Sequence, residues 1–322
     1  MRALRFEQSS LSIRDINNPV LSEGKAIIRV VHAALNRRDY WIIKGAYPNI
    51  TSSTLGSDAC GILEEGPQHL IGKEVIICPS LNWGNTESYQ DHDYHILGMP
   101  QDGTFAEYCL VPEENIFPKP SHLTSEQAAS IPLAGLTAWR ALCTKGQCEA
   151  HKRVLITGVG GGVSTFALQI AVAMGAHVWV TSSQDTKIHK AIEFGAQGGA
   201  NYTKSDWFRQ LPNNFDIIID GAGGEGFGSL IRCLAMGGKL VFYGGTKGKW
   251  PSILPQHLFF KQAEILGSTM GSPLEFSQLC SFIEQKKLIP IVDSSYPITQ
   301  YNTAFDALLA NERMGKIVMS CS

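Results

Sequence analysis

The sequence carries little charge and no excess of positive charge. Asp, Glu, Lys and Arg make up 17% of the 322 residues, and the formal net charge at pH 7 is −2. A protein that binds nucleic acid through the phosphate backbone needs a basic stripe or patch, and this composition provides none. The composition therefore argues against nucleic acid as a partner.

Long apolar runs and closely paired cysteines are also missing. No apolar run approaches the roughly 20 residues of a membrane-spanning helix, and the start MRALRFEQSS lacks the charged-then-apolar layout of a signal peptide. The nearest two of the eight cysteines, Cys143 and Cys148, are too far apart for a C-x-x-C redox motif. We therefore expect a cytoplasmic protein with reduced thiols and no membrane partner.

The hydrophobic pattern changes along the chain. The first 115 residues contain β-type runs such as KAIIRVVHAAL and KEVIICP between Gly and Pro clusters, and a capping-box spacing between Thr124 and Gln127 then starts a helical pattern. Strands are predicted at 154–157, 177–181, 215–220 and 239–244, with helices from 162, from 185 and at 227–235. This alternation predicts a parallel sheet that helices cover on both faces.

The end of the chain returns to a mixed pattern. It closes with a short apolar strand at 316–319, which we expect to rejoin the first lobe. The sequence therefore predicts an α/β protein with two domains. Residues 1–120 and 256–322 form a β-rich domain, and residues 121–255 form an inserted, doubly wound nucleotide-binding domain of the Rossmann type.

A glycine-rich turn follows the first strand of the inserted domain, in VLITGVGGGVSTFALQ. Glycines allow the backbone N–H groups to approach a pyrophosphate, and the next helix presents its positive N-terminus. The G-x-G-x-x-G pattern is incomplete, because its last position falls on Ser164, a small residue. The candidate pyrophosphate contacts are Gly160, Gly161, Gly162 and Val163. The alternative is a glycine-rich turn that binds no ligand.

The end of the second strand indicates which dinucleotide binds. NAD sites usually place Asp or Glu there, and this chain has Thr-Ser-Ser. Ser182, Lys187 and Tyr202 could surround a 2′-phosphate, so we expect NADP(H). Two alternatives stay open: Asp185 could be the ribose carboxylate, or it could simply be a helix N-cap while Lys187 is a surface charge.

Ordered motifs along the whole chain resemble the zinc-independent, quinone oxidoreductase-like branch of the medium-chain dehydrogenase/reductase superfamily. They include SEGKAIIRVVHAALNRRDYWIIKGAYP, LGSDACGILEEG, GTFAEYCLVPEENIFPKP, AASIPLAGLTAWRAL and the closing GKIV. The resemblance implies a GroES-like β-barrel catalytic domain made from both termini, a Rossmann domain between them and an active site in the cleft. It also implies a homodimer, in which a strand within 262–269 pairs across the two-fold axis and covers a sheet edge.

The resemblance also bears on metal binding. Zinc members of the superfamily carry Cys, His and Cys at the positions that here hold Asn36, Ser57 and Leu133, which are not a tetrahedral zinc ligand set. We therefore expect no zinc. The alternative metal site is the segment around His92 and His95, although such a polar stretch is more typical of a solvated loop.

The same resemblance implies the catalytic residues. It places Asn36 and Tyr47 beside the nicotinamide and the acceptor, where an amide N–H donates without titrating and a phenol can donate or supply a proton. The alternative for Tyr47 is a loop cap beside Pro48. Further residues are implied to lie near the cofactor, with core helix, plain turn and surface charge as the alternatives: Thr137, Gly244, Gly245 and Lys316.

The type of reaction that we expect depends on the expected absence of zinc. Without zinc, a simple alcohol loses its main route to an alkoxide, whereas a quinone or enone spreads the developing charge itself. The sequence predicts an NADPH-dependent reductase of quinones or α,β-unsaturated carbonyls. The alternatives are a zinc-free alcohol or aldehyde reductase and a non-catalytic NADPH-binding protein.

Overall fold

A computed structural model describes residues 1–47 and 52–321. It divides the chain into two compact units, Met1–Leu136 with Gly271–Ser322, and Thr137–Met270. The sequence prediction has boundaries at 121 and 255, whereas this division falls after Leu136 and after Met270. Helix Ser125–Ala129 packs on strands of the first unit, and strand Glu264–Gly267 completes the sheet of the second, so both boundaries move towards the C-terminus.

The chain starts in the first unit, which is rich in strands as predicted. In chain order they are β1 (Arg2–Glu7), β2 (Ser10–Asp15), β3 (Lys25–Ala34), β4 (Ser52–Thr54), β5 (Asp58–Glu65), β6 (Glu74–Ile77), β7 (Ser80–Leu81), β8 (His95–Ile96), β9 (Tyr108–Pro112) and β10 (Ile116–Pro118). The helices of this stretch are α1 (Arg37–Ile43), α2 (Ser125–Ala129) and α3 (Pro132–Trp139). Thr124 caps α2, since its hydroxyl accepts from the Gln127 N–H at 3.2 Å, which confirms the predicted capping box.

The second unit alternates strands and helices. Its strands are β11 (Arg153–Ile156), β12 (His177–Ser182), β13 (Gly198–Asn201), β14 (Phe215–Asp220), β15 (Leu234–Phe242) and β16 (Glu264–Gly267). Its helices are α4 (Gly162–Ala173), α5 (Asp185–Glu193), α6 (Phe227–Cys233) and α7 (Gln256–Phe259). The strands are parallel in the order β13-β12-β11-β14-β15-β16, which confirms the predicted doubly wound sheet.

The chain then returns to the first unit through α8 (Pro273–Lys286), β17 (Val292–Pro297), α9 (Tyr301–Leu309) and β18 (Lys316–Ser320). Strand β18 pairs antiparallel with β3, so the predicted terminal strand does rejoin the first lobe. The main sheet of this unit has the order β10-β6-β5-β3-β18-β17, and β9 also pairs with β3. A smaller sheet has the order β2-β1-β4.

Each unit has its own apolar core. The core of the first unit packs residues of β3, such as Ile28 and Val30, against Phe105 and Ile317. In the second unit β14 reads FDIIID, and its apolar residues are buried because helices cover both faces of a parallel sheet. In the part of the chain that the structure describes, no helix is both long and apolar enough to cross a membrane.

Candidate active site

Asn36 lies at the end of β3, where the chain turns into α1. It is the N-cap of that helix, and its backbone N–H donates to Asp39 Oδ2 at 2.7 Å. An Asn followed three residues later by an acidic residue suits this turn, because the carboxylate accepts from an N–H group that the helix leaves unsatisfied. The local sequence therefore fixes the backbone of Asn36 and buries its side chain.

The side chain of Asn36 belongs to a buried network with Asp58 and Lys316. Lys316 Nζ donates to Asn36 Oδ1 at 2.6 Å and to Asp58 Oδ2 at 2.8 Å, while Asn36 Nδ2 donates to Asp58 Oδ2 at 2.9 Å. An ammonium only donates and a carboxylate only accepts, so the orientation of the Asn36 amide is determined. We call these three residues the amide–ammonium network.

The ion pair of this network is buried. Lys316 and Asp58 form an ion pair with side-chain exposures of 2% and 0%, and Asp58 Oδ1 also accepts from the Leu133 N–H at 2.8 Å. The alternative of a surface charge at Lys316 is therefore wrong. Its predicted contact with the cofactor stays a prediction.

The three positions that the sequence resemblance matches to zinc ligands, Asn36, Ser57 and Leu133, do not fit the metal here. The Asn36 oxygen is engaged by the Lys316 ammonium, Ser57 Oγ donates to the Leu97 carbonyl at 2.7 Å, and Leu133 has an apolar side chain. A structural or catalytic zinc needs thiolate, imidazole or carboxylate ligands with free lone pairs. Within residues 1–47 and 52–321, no group of three His, Cys, Asp or Glu side chains could hold a metal ion.

Asp39 is a buried carboxylate next to this network. Burial raises its pKa to about 6, while the Asn36 N–H and the Arg38 charge act in the opposite direction. Its Oδ1 atom is buried and has no hydrogen-bond partner. Asp39 was not predicted to be a site residue, because only the folded chain shows that this residue of a charged segment is buried.

Tyr47 is held by Arg38. The guanidinium of Arg38 lies 5.5 Å from the centroid of the Tyr47 ring and donates to the carbonyls of Ile96 and Met99. Arg38 thus ties the turn at 96–99 to the partly buried Tyr47, which packs on the core of the first unit. Pro48, which was considered as the reason for a loop cap, lies outside the described residues.

The glycine turn of the second unit is closed by side chains of its neighbours. Gly158 and Gly160 have φ angles of 60° and 124°, which favour glycine. Ser164 Oγ donates to the carbonyls of Gly158 and Gly161, and the Gly158 N–H donates to Thr181 Oγ1. Ser164, at the last position of the incomplete motif, therefore stabilises the turn through these two hydrogen bonds.

The predicted pyrophosphate contacts lie where this turn enters α4. Gly161 is the N-cap, and Gly162 and Val163 open the helix. Because Gly161 has no side chain to cap the helix, the first N–H groups and the positive end of the helix dipole are available to an anion. This geometry fits the pyrophosphate of a dinucleotide.

The candidate phosphate residues lie at the ends of β12 and β13. Ser182 is the last residue of β12, and its carbonyl accepts from the Tyr202 N–H at 3.0 Å. Lys187 lies in the first turn of α5. The structure thus joins Ser182 directly to Tyr202 and places Lys187 on the helix that follows Ser182.

The carboxylate of Asp185, the alternative ribose ligand, is hydrogen-bonded to other side chains of the second unit. Its carboxylate accepts from Lys204 Nζ at 3.1 Å and from Asn201 Nδ2 at 3.1 Å, and these hydrogen bonds lower its pKa. Gln184, not Asp185, is the N-cap of α5, so the N-cap alternative is wrong. An ion-paired Asp185 is a poor candidate for binding ribose hydroxyls.

The other predicted cofactor residues are spread over the second unit. Thr137 lies in α3, and its hydroxyl donates to Met270 Sδ at 3.6 Å. Gly244 and Gly245 follow β15 at the carboxyl edge of the sheet, where parallel sheets bind ligands. A Cβ at Gly244 would lie 2.8 Å from the Gly221 carbonyl oxygen, so no larger residue fits there without a shift.

The carboxyl edge also holds a residue that sequence reasoning missed. Asp220 ends β14 and is buried; it accepts from Thr157 Oγ1 at 2.5 Å and from the Gly223 N–H at 2.8 Å. It thereby connects the end of β11 with the loop after β14. The sequence signal for this residue was an acidic side chain directly after the apolar run Ile217–Ile219.

Comparison with known proteins identifies the family. The alcohol dehydrogenase GroES-like domain family matches residues 22–121, and the zinc-binding dehydrogenase family matches residues 162–285. The zinc-type alcohol dehydrogenase-like protein YogA of Leptosphaeria maculans is 33% identical over 95% of this chain and 92% of its own. The quinone oxidoreductase of Mus musculus is 25% identical, covering 99% of this chain and 97% of its own.

A crystal structure of an NAD-dependent alcohol dehydrogenase covers 100% of both chains, with a TM-score of 0.94 and 32% identity. The chain therefore belongs to the medium-chain dehydrogenase/reductase superfamily and is an oxidoreductase of that family. The predicted fold, a GroES-like domain with a Rossmann-type parallel sheet, is confirmed.

Proposed function

We propose that this protein is an NADPH-dependent, zinc-independent reductase of quinones or α,β-unsaturated carbonyls. The observation that carries the proposal is the amide–ammonium network. At a position where zinc members bind the metal, Asn36 is fixed between Lys316 and Asp58. A site built in this way favours acceptors that stabilise their own developing charge.

The second unit supplies the groups that would hold the cofactor. The turn at Gly160–Val163 would bind the pyrophosphate, and Ser182, Lys187 and Tyr202 would surround the 2′-phosphate. The engagement of Asp185 by Lys204 supports NADP(H) over NAD(H), since the charge of this carboxylate is then paired with a cation and repels the phosphate less. When bound, NADPH provides the hydride.

The first unit supplies the polar groups for the acceptor. Asn36 uses one amide hydrogen for Asp58, and in this proposal the second one donates to the acceptor oxygen on which charge develops. Lys316, bound to Asn36 Oδ1, polarises the amide and makes this remaining N–H a stronger donor. Tyr47 or solvent then supplies the proton to that oxygen.

An acceptor panel tests the proposal. NADPH and NADH oxidation are followed with a quinone, an enone and a simple aldehyde under identical conditions. We expect turnover of the quinone or the enone and a higher kcat/KM with NADPH. Turnover restricted to the aldehyde would indicate an alcohol or aldehyde reductase instead, and tight NADPH binding without turnover would indicate a non-catalytic binding protein.

We further propose a homodimer formed through β16. This strand ends the order of the parallel sheet within the described residues, and Phe259 and Phe260, which precede it, are 57% and 70% exposed. Unpaired strand edges and exposed aromatic side chains are usually covered by a partner. Light scattering should give twice the chain mass, and a monomer at micromolar concentration would contradict the dimer.

A further inference from the structure

A lysine from the loop that follows a distant strand contacts one of the proposed phosphate residues. Lys247 Nζ lies 4.1 Å from the centroid of the Tyr202 ring. Tyr202 follows β13 directly, whereas Lys247 lies in the loop after β15, with β12, β11 and β14 between the two strands. Neighbouring strands are about 4.8 Å apart, so β13 and β15 are separated by roughly 19 Å in the sheet. The contact therefore joins residues that follow two widely separated strands.

The loop that carries Lys247 is held over this edge. The Lys247 N–H donates to the Ala222 carbonyl at 2.8 Å, and the Gly224 N–H donates to the Gly248 carbonyl at 3.2 Å. A few residues on, the Trp250 ring stacks on Phe227 with a centroid distance of 3.9 Å. The loop after β15 is therefore fixed on the loop after β14, which turns Lys247 towards β12 and β13.

The approach of the two loops depends on a glycine. Gly224 has a φ of 70°, and a Cβ at this residue would lie 2.7 Å from Lys247 Cβ. No larger residue fits there without displacing Lys247. The backbone of the two loops therefore fixes the position of Lys247.

The positive charge of Lys247 has no carboxylate partner in residues 1–47 and 52–321, where no Asp or Glu oxygen lies within 4 Å of its Nζ. Lys204, two residues after Tyr202 in the sequence, is by contrast paired with Asp185. An aromatic ring face orients an ammonium without using its N–H donors for hydrogen bonds. Lys247 is therefore a positioned cation whose donors remain for an anion.

We propose that Lys247 is a further specificity-determining residue of the cofactor site, where its ammonium binds the 2′-phosphate of NADP(H) together with Ser182, Lys187 and Tyr202. This inference rests on the proposed cofactor preference and adds a residue to it. The Tyr202 backbone is bonded to Ser182, so the ring that holds Lys247 is fixed to the strand end where the phosphate would lie. A phosphate monoester carries nearly two negative charges, which favours a second cation.

Binding of adenosine 2′,5′-bisphosphate and of adenosine 5′-monophosphate, measured by calorimetry, tests this inference. The variants are Lys247→Ala, Lys247→Arg and the control Lys249→Ala, which removes an exposed lysine of the same loop. We expect Lys247→Ala to weaken the bisphosphate about tenfold, which is the loss of one charge-assisted hydrogen bond, and to change the monophosphate less than about twofold. Lys247→Arg and Lys249→Ala should both stay within about threefold of the wild type.

The outcomes separate this inference from the proposed function. If the wild type binds both nucleotides equally, the proposed NADP(H) preference fails, and this inference fails with it. If the wild type prefers the bisphosphate and Lys247→Ala does not change that preference, only the role of Lys247 is overturned. An equal loss for both nucleotides would also overturn it, because it would indicate a structural role of the loop.

Discussion

Replacing Lys316 tests whether the amide–ammonium network is a tightly coupled unit. Lys316→Met keeps the length of the side chain and removes its charge. Asp58 would then remain as a buried carboxylate that keeps the Leu133 and Asn36 donors but has lost its cation. Removing one partner of a buried ion pair typically destabilises a protein by about 3–5 kcal/mol, because the other charge is left uncompensated.

The structure provides a matched control for this substitution. Lys287 forms an ion pair with Glu284 at 2.7 Å, close to the 2.8 Å of Lys316 and Asp58, but the side chains are 61% and 40% exposed instead of 2% and 0%. Exposed pairs contribute roughly 0–1 kcal/mol. The two Lys→Met variants therefore differ mainly in the burial of the ion pair that they break.

The assay is urea unfolding followed by circular dichroism, fitted with a separate transition for each of the two units. We expect Lys316→Met to lower the free energy of unfolding of the first unit by about 3–5 kcal/mol and Lys287→Met by less than about 1 kcal/mol. Adding Asp58→Asn to Lys316→Met should recover at least about 1 kcal/mol, because the unpaired charge is removed. Equal effects of the two lysine variants, or no recovery in the double variant, would show that burial does not determine the cost of breaking the Lys316–Asp58 ion pair.

Three further predictions concern the catalytic residues and the metal. Asn36→Ala should lower kcat for the quinone or enone about 100-fold and leave the NADPH Kd unchanged in a binding titration, since it removes one oxyanion donor; an unchanged kcat would exclude this role. The pKa of Asp39 is raised from its ordinary value of 3.8 to about 6, so the wild type loses stability as the pH rises from 4 towards 7. Asp39→Asn should therefore gain up to about 3 kcal/mol relative to the wild type over this range in urea unfolding at each pH, and a constant difference would contradict the burial argument. Dialysis against a chelator should leave NADPH oxidation unchanged, whereas a loss of activity that zinc restores would show that a metal takes part.

The periodic parts of the fold could be predicted from the sequence. Strand β14 was placed at its observed bounds, and α4, α5 and α6 start where they were expected, because apolar strands alternate regularly with helical segments in this part of the sequence. The return of β18 to the first unit was also predicted. Helix α8 was missed, although Ser272 and Glu275 form a capping box at its start and Pro273 opens it.

The sequence indicated candidate site residues but not the contacts that these residues make in the folded chain. The resemblance indicated Asn36 and Lys316, but their hydrogen bond joins residues 280 positions apart, and no local pattern predicts such a contact. A lysine near the end of a chain is usually exposed, so the burial of this one depends on the pairing of β18 with β3. The contact of Lys247 with Tyr202 was missed for the same reason, because it depends on how two loops fold over a sheet edge.

A zinc analysis and an NADPH oxidation assay on the same purified preparation test the proposed zinc-independent reduction most directly. We expect far less than one zinc per chain together with turnover of a quinone or an enone. Stoichiometric zinc, with activity that follows the zinc content, would contradict a zinc-independent reductase built around the amide–ammonium network.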